Sequence, residues 1–210
     1  MGSNESDDTT ESDWDLVRRA KGGDEPAYAA LVHRHQAALH AFVFRSVRSY
    51  EESRDLTQEV FVRAWFALQR VREDARFTTW LFQIAVNLCR DHAKSKATRN
   101  ARQTDSLSRP PSAERHDDRD FPSADLTPDA NVVRSETIAA LEAEVRALPP
   151  ELQPAFVLGA LEGRSHREVA EILKLSAKAV EVRIYRARRW LVERLARRGI
   201  GGASPSDTFE

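Results

Sequence analysis

The chain has 210 residues, enough for one domain or two small ones, and its 32 basic and 33 acidic side chains leave a formal net charge of −1. A single cysteine excludes an internal disulfide and suits a reducing compartment. No apolar run has the length of a membrane span and the acidic start is unlike a signal peptide, so the expectation is a soluble cytoplasmic protein with no membrane insertion.

Residues 1–12 are polar and acidic and are expected to be disordered. A first helical block then runs over residues 13–98. Asp24-Glu25-Pro26 is a helix start with proline in the first turn, and the stripe that follows is Tyr28, Leu31, Val32, Leu39, Phe42 and Val43. The next helix, from about Glu51, buries Leu56, Val60, Ala64 and Leu68. After a short loop over residues 71–77, a helix from Thr78 carries Leu81, Ile84, Ala85 and Leu88 on one side. Residues 99–134 break this pattern. Pro110-Pro111, Pro122, Pro128, several serines and Asp117-Asp118-Arg119-Asp120 make a flexible acidic linker that cannot form a core.

A second helical block is expected over residues 135–198. It opens with Ile138, Leu141, Val145 and Leu148, is broken by Pro149-Pro150, and continues through Phe156, Val157 and Leu161. Residues 199–210 read as an unstructured tail. No period-two run of β-branched residues occurs anywhere, so no sheet is expected. The fold class is all-α: two small helical domains on a tether.

The end of the second block is the most informative stretch. Ser165 followed three residues later by Glu168 is a capping box, and Val169, Ala170, Ile172 and Leu173 give that short helix its buried side. Lys174-Leu175-Ser176 is a turn, with Ser176 placed to cap the next helix. That helix aligns Val180, Ile184, Ala187, Leu191 and Leu195 in one stripe and sets Lys178, Val182, Arg186 and Arg189 opposite. Residues 183–198 hold seven arginines against Glu193 alone, whereas residues 1–13 hold only acidic charges. A helix docked by one side and basic on the other reads as the second helix of a helix-turn-helix, which lies in a DNA groove. A solvated basic face on an ordinary helical hairpin is the plainer alternative.

Two surfaces of the first block also carry chemistry. Trp80, Gln83, Asn87, Arg90, Asp91 and Lys94 follow one another by steps that keep them on or near one helix face. Cations suit phosphates, the amides suit base edges and the aromatic plane suits an unstacked base; a solvated face is again the alternative. On the preceding helix, Asp55, Gln58, Glu59 and Arg63 flank Phe61 and Trp65. Aromatics beside carboxylates favour a protein partner over DNA, since carboxylates repel phosphates; the alternative makes Phe61 and Trp65 part of the core.

These residues together resemble a known family. Asp55-Leu56-Thr57-Gln58-Glu59-Val60-Phe61-Val62-Arg63-Ala64-Trp65 is similar to the polymerase-binding signature of bacterial RNA polymerase sigma factors. Phe77-Thr78-Thr79-Trp80-Leu81-Phe82-Gln83-Ile84-Ala85-Val86-Asn87 resembles the segment that melts and reads the promoter −10 element. Leu148-Pro149-Pro150 and the helix-turn-helix ending Val180-Glu181-Val182-Arg183-Ile184-Tyr185-Arg186-Ala187-Arg188 resemble the −35 reader. Two such domains and no more is the layout of the extracytoplasmic-function (ECF) subfamily.

The resemblance implies a monomer in a holoenzyme with core RNA polymerase, in contact with its β′ clamp and β subunits, with promoter DNA, and with an anti-sigma protein as regulator. Asp55, Gln58, Glu59, Phe61 and Trp65 would dock on polymerase. Arg72, Phe77, Thr79, Trp80, Gln83, Asn87, Arg90 and Lys94 would hold the melted −10 element, including an extruded base. Ser176, Lys178, Glu181, Val182, Arg183, Arg186 and Arg189 would face the −35 duplex. The acidic tether would run near the RNA path of the polymerase. Glu181 and Val182 stand where many relatives carry a basic residue and a serine, and Lys174 stands where a glycine often closes the turn.

No cofactor or metal is expected. Cys89 and His92 share a helix face, but a metal site needs three or four converging ligands, and His33, His35 and His40 lie elsewhere. His35 falls within an apolar stripe and reads as a packed histidine. No nucleophile–base cluster or phosphate-binding glycine loop occurs, so an enzyme is not expected. Two other functions fit parts of the pattern: a helix-turn-helix regulator that acts without polymerase, and a sigma mimic that captures an anti-sigma protein.

Overall fold

The computed structural model of the chain describes residues 11–47, 49–74, 76–104 and 128–200, and among these it is helical with no strand. Four helices form a first bundle: α1 (Asp13–Lys21), α2 (Glu25–Ser46), α3 (Tyr50–Ala67) and α4 (Phe77–Thr104). A second group comprises α5 (Pro128–Arg146), α6 (Gln153–Phe156) with a wide helical turn over Val157–Leu161, α7 (His166–Leu173) and α8 (Ala177–Arg197). The expected tails and the middle of the expected linker, residues 105–127, lie outside the described residues.

Side-chain caps set most helix starts. Ser12, Asp24, Ser49 and Ser176 each accept a hydrogen bond from the backbone N–H three residues on. Ser165 and Glu168 complete both halves of the capping box on α7. Each such cap contributes about 1 kcal/mol, which matters for α7 because it is only eight residues long. Lys174 ends α7 with φ 55° and ψ 49°, a left-handed conformation that glycine would adopt without strain. The turn between α7 and α8 demands that geometry, and a lysine meets it.

Helix occupies both ends of the stretch expected to be linker. Residues 99–104 continue α4 because neither glycine nor proline interrupts them. Pro128 begins α5 instead of breaking structure: at the first position of a helix its missing N–H costs nothing.

The first bundle packs α2 against α1, α3 and α4. Leu31, Leu39, Phe42 and Val43 of α2 meet Val60 and Ala64 of α3 and Leu81, Phe82 and Ala85 of α4 in a common core, with the Phe42 and Phe82 rings edge to face at 5.6 Å. His35 is buried in this stripe as expected, its ring tilted against Phe77 and its Nε2 2.9 Å from the Asp13 carboxylate. In the second group, Val180, Ile184, Ala187 and Leu191 of α8 are buried and Leu195 is half-buried. A Cβ on Gly159 would lie 2.6 Å from the Ile184 terminal methyl, so glycine there lets the wide turn approach α8.

A charged clamp fastens α5 to the end of α8. Glu144 is 1% exposed and accepts from Arg194 Nε at 2.9 Å, while Arg198 Nη2 lies 2.8 Å from its other oxygen. Replacing both arginines by alanine strands a buried carboxylate. This should destabilise the second group by about 2–3 kcal/mol, less than for fully buried pairs because both guanidinium groups are partly exposed. Adding Glu144→Leu should recover most of that loss, as read by urea unfolding of the full chain.

Candidate nucleic-acid interface

Because α8 buries one stripe, its opposite face is free. Lys178, Glu181, Val182, Arg186 and Arg189 are exposed there, as the periodicity predicts, and Arg183 is half-buried at the flank. Ser176 lies at the start of this face, its oxygen engaged as the cap of α8. Lys178 Nζ lies 3.1 and 2.9 Å from the two Glu181 oxygens, so the carboxylate pairs with its neighbouring cation. Tyr185, 53% exposed, joins this face and was missed in the sequence reading. Its position seven residues after Lys178, two helical turns on, was the available signal. The face therefore offers cations to phosphates and two apolar groups, Val182 and Tyr185, to base edges such as the thymine methyl.

On α4, Trp80 and Gln83 are half-buried and Asn87, Arg90 and Lys94 are exposed. Asn87 Oδ1 accepts from Arg90 Nη1 at 3.5 Å, and Gln83 donates to the Glu171 carbonyl at 3.0 Å. Arg72 is exposed in the preceding loop, 3.3 Å from Asp74. Two expected members of this surface are internal. Phe77 is buried among Trp14, His35 and Trp80. Thr79 is buried too. The reason is that α4 packs on several neighbours at once: Phe77, Leu81 and Ala85 form one inner stripe and Thr79, Phe82 and Val86 a second. Neither residue presents its side chain to a nucleic acid here.

On α3, Asp55 and Gln58 are exposed and Glu59, half-buried, is paired with Arg63 at 2.7 Å. Phe61 is only 9% exposed, on the inner side of α3 with Thr57, Val60 and Ala64, as the core alternative has it. Trp65 is 36% exposed and Phe66, absent from the sequence expectation, is 79% exposed. Phe66 falls outside every stripe, so only its exposure reveals it. Tyr28 organises this edge, its hydroxyl donating to the Phe61 carbonyl at 2.5 Å and its ring set edge-on to Trp65 at 4.8 Å. Burial pushes the Tyr28 hydroxyl up to about 12, so it stays a donor across the working pH range.

Among the described residues no group of three or more His, Cys, Asp and Glu is placed to hold a metal ion. Burial pushes the Cys89 thiol up to about 12, which leaves it a packing group rather than a nucleophile. No described helix is long and apolar enough to cross a membrane.

Among the described residues, the helices thus set a basic-faced helix-turn-helix beside a bundle bearing an acidic–aromatic edge. Comparison with known proteins specifies the family. Residues 31–99 match the family model for sigma-70 region 2, and residues 138–191 match that for sigma-70 region 4. The chain is 33% identical to the RNA polymerase sigma-H factor of Pseudomonas aeruginosa over 187 residues, covering 86% of this chain and 92% of that one. It is 32% identical to the ECF RNA polymerase sigma-E factor of Escherichia coli K12 over 184 residues, 84% of this chain and 91% of the relative. Among solved structures, CnrH in complex with the cytosolic domain of CnrY superposes with a TM-score of 0.64 at 29% identity, covering 89% of this chain and 99% of that one. RpoE of Bartonella quintana, solved with the anti-sigma factor NepR, shares the fold with a TM-score of 0.60 at 21% identity, over 80% of this chain and 96% of that one. The chain belongs to the sigma-70 family, in its ECF subfamily: it is a sigma factor, a subunit that gives RNA polymerase its promoter.

The Lys178–Glu181 pair has a measurable consequence. Glu181→Ala releases the Lys178 ammonium for a phosphate, and promoter binding should then depend on salt more steeply by about one charge. An unchanged slope in a salt titration would mean that Lys178 does not reach the backbone.

Proposed function

We propose that residues 13–98 form the module that docks on core polymerase and opens the −10 element, and that residues 135–198 read the −35 element, with residues 99–134 as the connection between them. The observation that carries this reading is the separation of the two surfaces. Asp55, Gln58, Glu59, Trp65 and Phe66 make an acidic–aromatic edge on one module, and Lys178, Val182, Arg186 and Arg189 make a basic face on the other. An ordinary helix-turn-helix regulator has use for the second surface alone.

In this reading the exposed aromatics Trp65 and Phe66 seat in the polymerase β′ clamp and the carboxylates meet its basic groups. Phe61 acts from inside, holding the edge in shape with Tyr28. Asn87, with Arg90 and Lys94, captures an extruded −10 base and its phosphates, while Phe77 and Thr79 support the helix from within. Ser176, Lys178, Arg183, Arg186 and Arg189 hold the −35 backbone, and Val182 with Tyr185 lies against base edges. The protein supplies recognition and the polymerase supplies the chemistry, in the cytoplasm. CnrH and the Bartonella RpoE were each solved with a second protein, CnrY and the anti-sigma factor NepR; an anti-sigma protein is the regulator proposed here too.

The test is core binding. Trp65→Ala or Asp55→Lys should weaken association with core polymerase by about 2 kcal/mol, roughly thirtyfold, as expected for an interface anchor. Isolated −35 duplex binding should stay unchanged; undiminished core affinity in both variants would overturn the docking surface. For the −10 role, Asn87→Ala should reduce open-complex formation on a duplex promoter far more than on one whose −10 region is already mismatched. A pre-opened template has already met the unstacking cost of a few kcal/mol. Equal losses on both templates would assign Asn87 to folding or docking.

A further inference from the structure

The basic face of α8 carries one group that a DNA-binding surface would be expected to avoid. Glu181 is the single carboxylate among residues 176–192, and its side chain is 53% exposed. Phosphates repel a carboxylate, so a helix that only gripped the DNA backbone would hold better without it. Nor does Glu181 do much for the helix, because exposed ion pairs three residues apart contribute little. The geometry of the pair fits a different use. Lys178 Nζ sits astride both Glu181 oxygens, at 3.1 and 2.9 Å. One ammonium thus cancels the charge that would keep the carboxylate out of a phosphate-lined groove. Each oxygen retains a lone pair with which to accept, and the ammonium's remaining N–H can still turn to a phosphate. Both residues lie at the N-terminal end of α8, which starts at Ala177, and in a helix-turn-helix that end meets the base edges.

The bases limit what such a group can accept. In the major groove only cytosine N4 and adenine N6 donate hydrogen bonds. Adenine sets its N7 acceptor beside N6, which repels a carboxylate, whereas cytosine has only a C–H beside N4. Guanine and thymine turn acceptors towards the same groove and are refused. Val182, the next exposed residue of the face, has no polar atom and cannot take over the contact. We propose that Glu181 is a specificity-determining residue of this sigma factor. Held and neutralised by Lys178, its carboxylate accepts a hydrogen bond from the 4-amino group of one cytosine in the −35 element. The proposal deepens the reading of α8 as the −35 helix and rests on it.

The test is promoter selection by holoenzyme, assembled from core polymerase and the full chain, on duplexes randomised through the −35 and −10 elements. The wild type should require cytosine at one −35 position, where any other base lowers recovery about fivefold to a hundredfold. Glu181→Gln should move that one preference towards adenine, since a carboxamide both accepts and donates. Glu181→Ala should abolish it. Every other position should keep its preference in both variants, which also shows that they fold. Lys178→Ala should weaken binding to all sequences alike and leave the cytosine preference in place. A second readout isolates the contact. Replacing the selected cytosine by its 4-deamino analogue should weaken wild-type holoenzyme binding by about the same factor and leave Glu181→Ala binding unchanged. A −35 preference without that cytosine, or one unaltered in Glu181→Ala and Glu181→Gln, would overturn the proposal and leave α8 as the −35 helix. A holoenzyme that selects a −10 element but no −35 sequence would overturn the reading of α8 itself, and the proposal with it.

Discussion

Helix α4 is the constraint on which the remainder depends. It packs against α2 and α3 in the first bundle and against α7 in the second group. To do so it must bury two stripes at once, Phe77–Leu81–Ala85 and Thr79–Phe82–Val86, which leaves a narrow outer side for function. Gln83, Asn87, Arg90 and Lys94 occupy that side. A residue of α4 is thus either part of the packing or open to solvent, and its angle around the helix decides which. Because the inner stripes are fixed by large side chains such as Phe77 and Phe82, the outer groups are held at set spacing on a rigid element rather than on a loop.

Charge is divided in the same way between structure and function. The arginine-rich end of α8 looks uniform in sequence, yet Arg194 and Arg198 are committed to the buried Glu144, and Arg194 also lies over the Trp190 ring at 5.0 Å. Arg186 lies farther up the same helix on its exposed face. The split follows from where α5 crosses α8: guanidinium groups near the crossing gain a desolvated carboxylate, and those beyond it keep their water. Lys178 is intermediate, paired with Glu181 but fully reachable by solvent. An exposed pair of this kind is weak enough to exchange one partner for another.

The contact between α4 and α7 is likewise made by groups far apart in sequence. Arg76 pairs with Glu168 and the Gln83 amide donates to the Glu171 carbonyl, each across more than 80 residues.

Local patterns alone were enough to place the starts of α2, α7 and α8, their caps, and the face of α8 opposite its apolar stripe, but not the continuation of α4 to Thr104 or the start of α5 at Pro128. Ser165–Glu168, Ser176, Asp24–Glu25–Pro26 and the Val180–Ile184–Ala187–Leu191 spacing all act within one or two helical turns, so the chain carries them whatever surrounds it. That Lys174 stands where a glycine often closes the turn came from the family resemblance, and its φ of 55° shows the left-handed geometry behind that preference. Tertiary packing decided the burial of Phe61, Phe77 and Thr79, the exposure of Phe66, the commitment of Arg194 and Arg198 to Glu144, and the meeting of Arg76 with Glu168. Helical periodicity says which residues share a side but not how many sides are covered. For a helix with three neighbours, only the neighbours answer that.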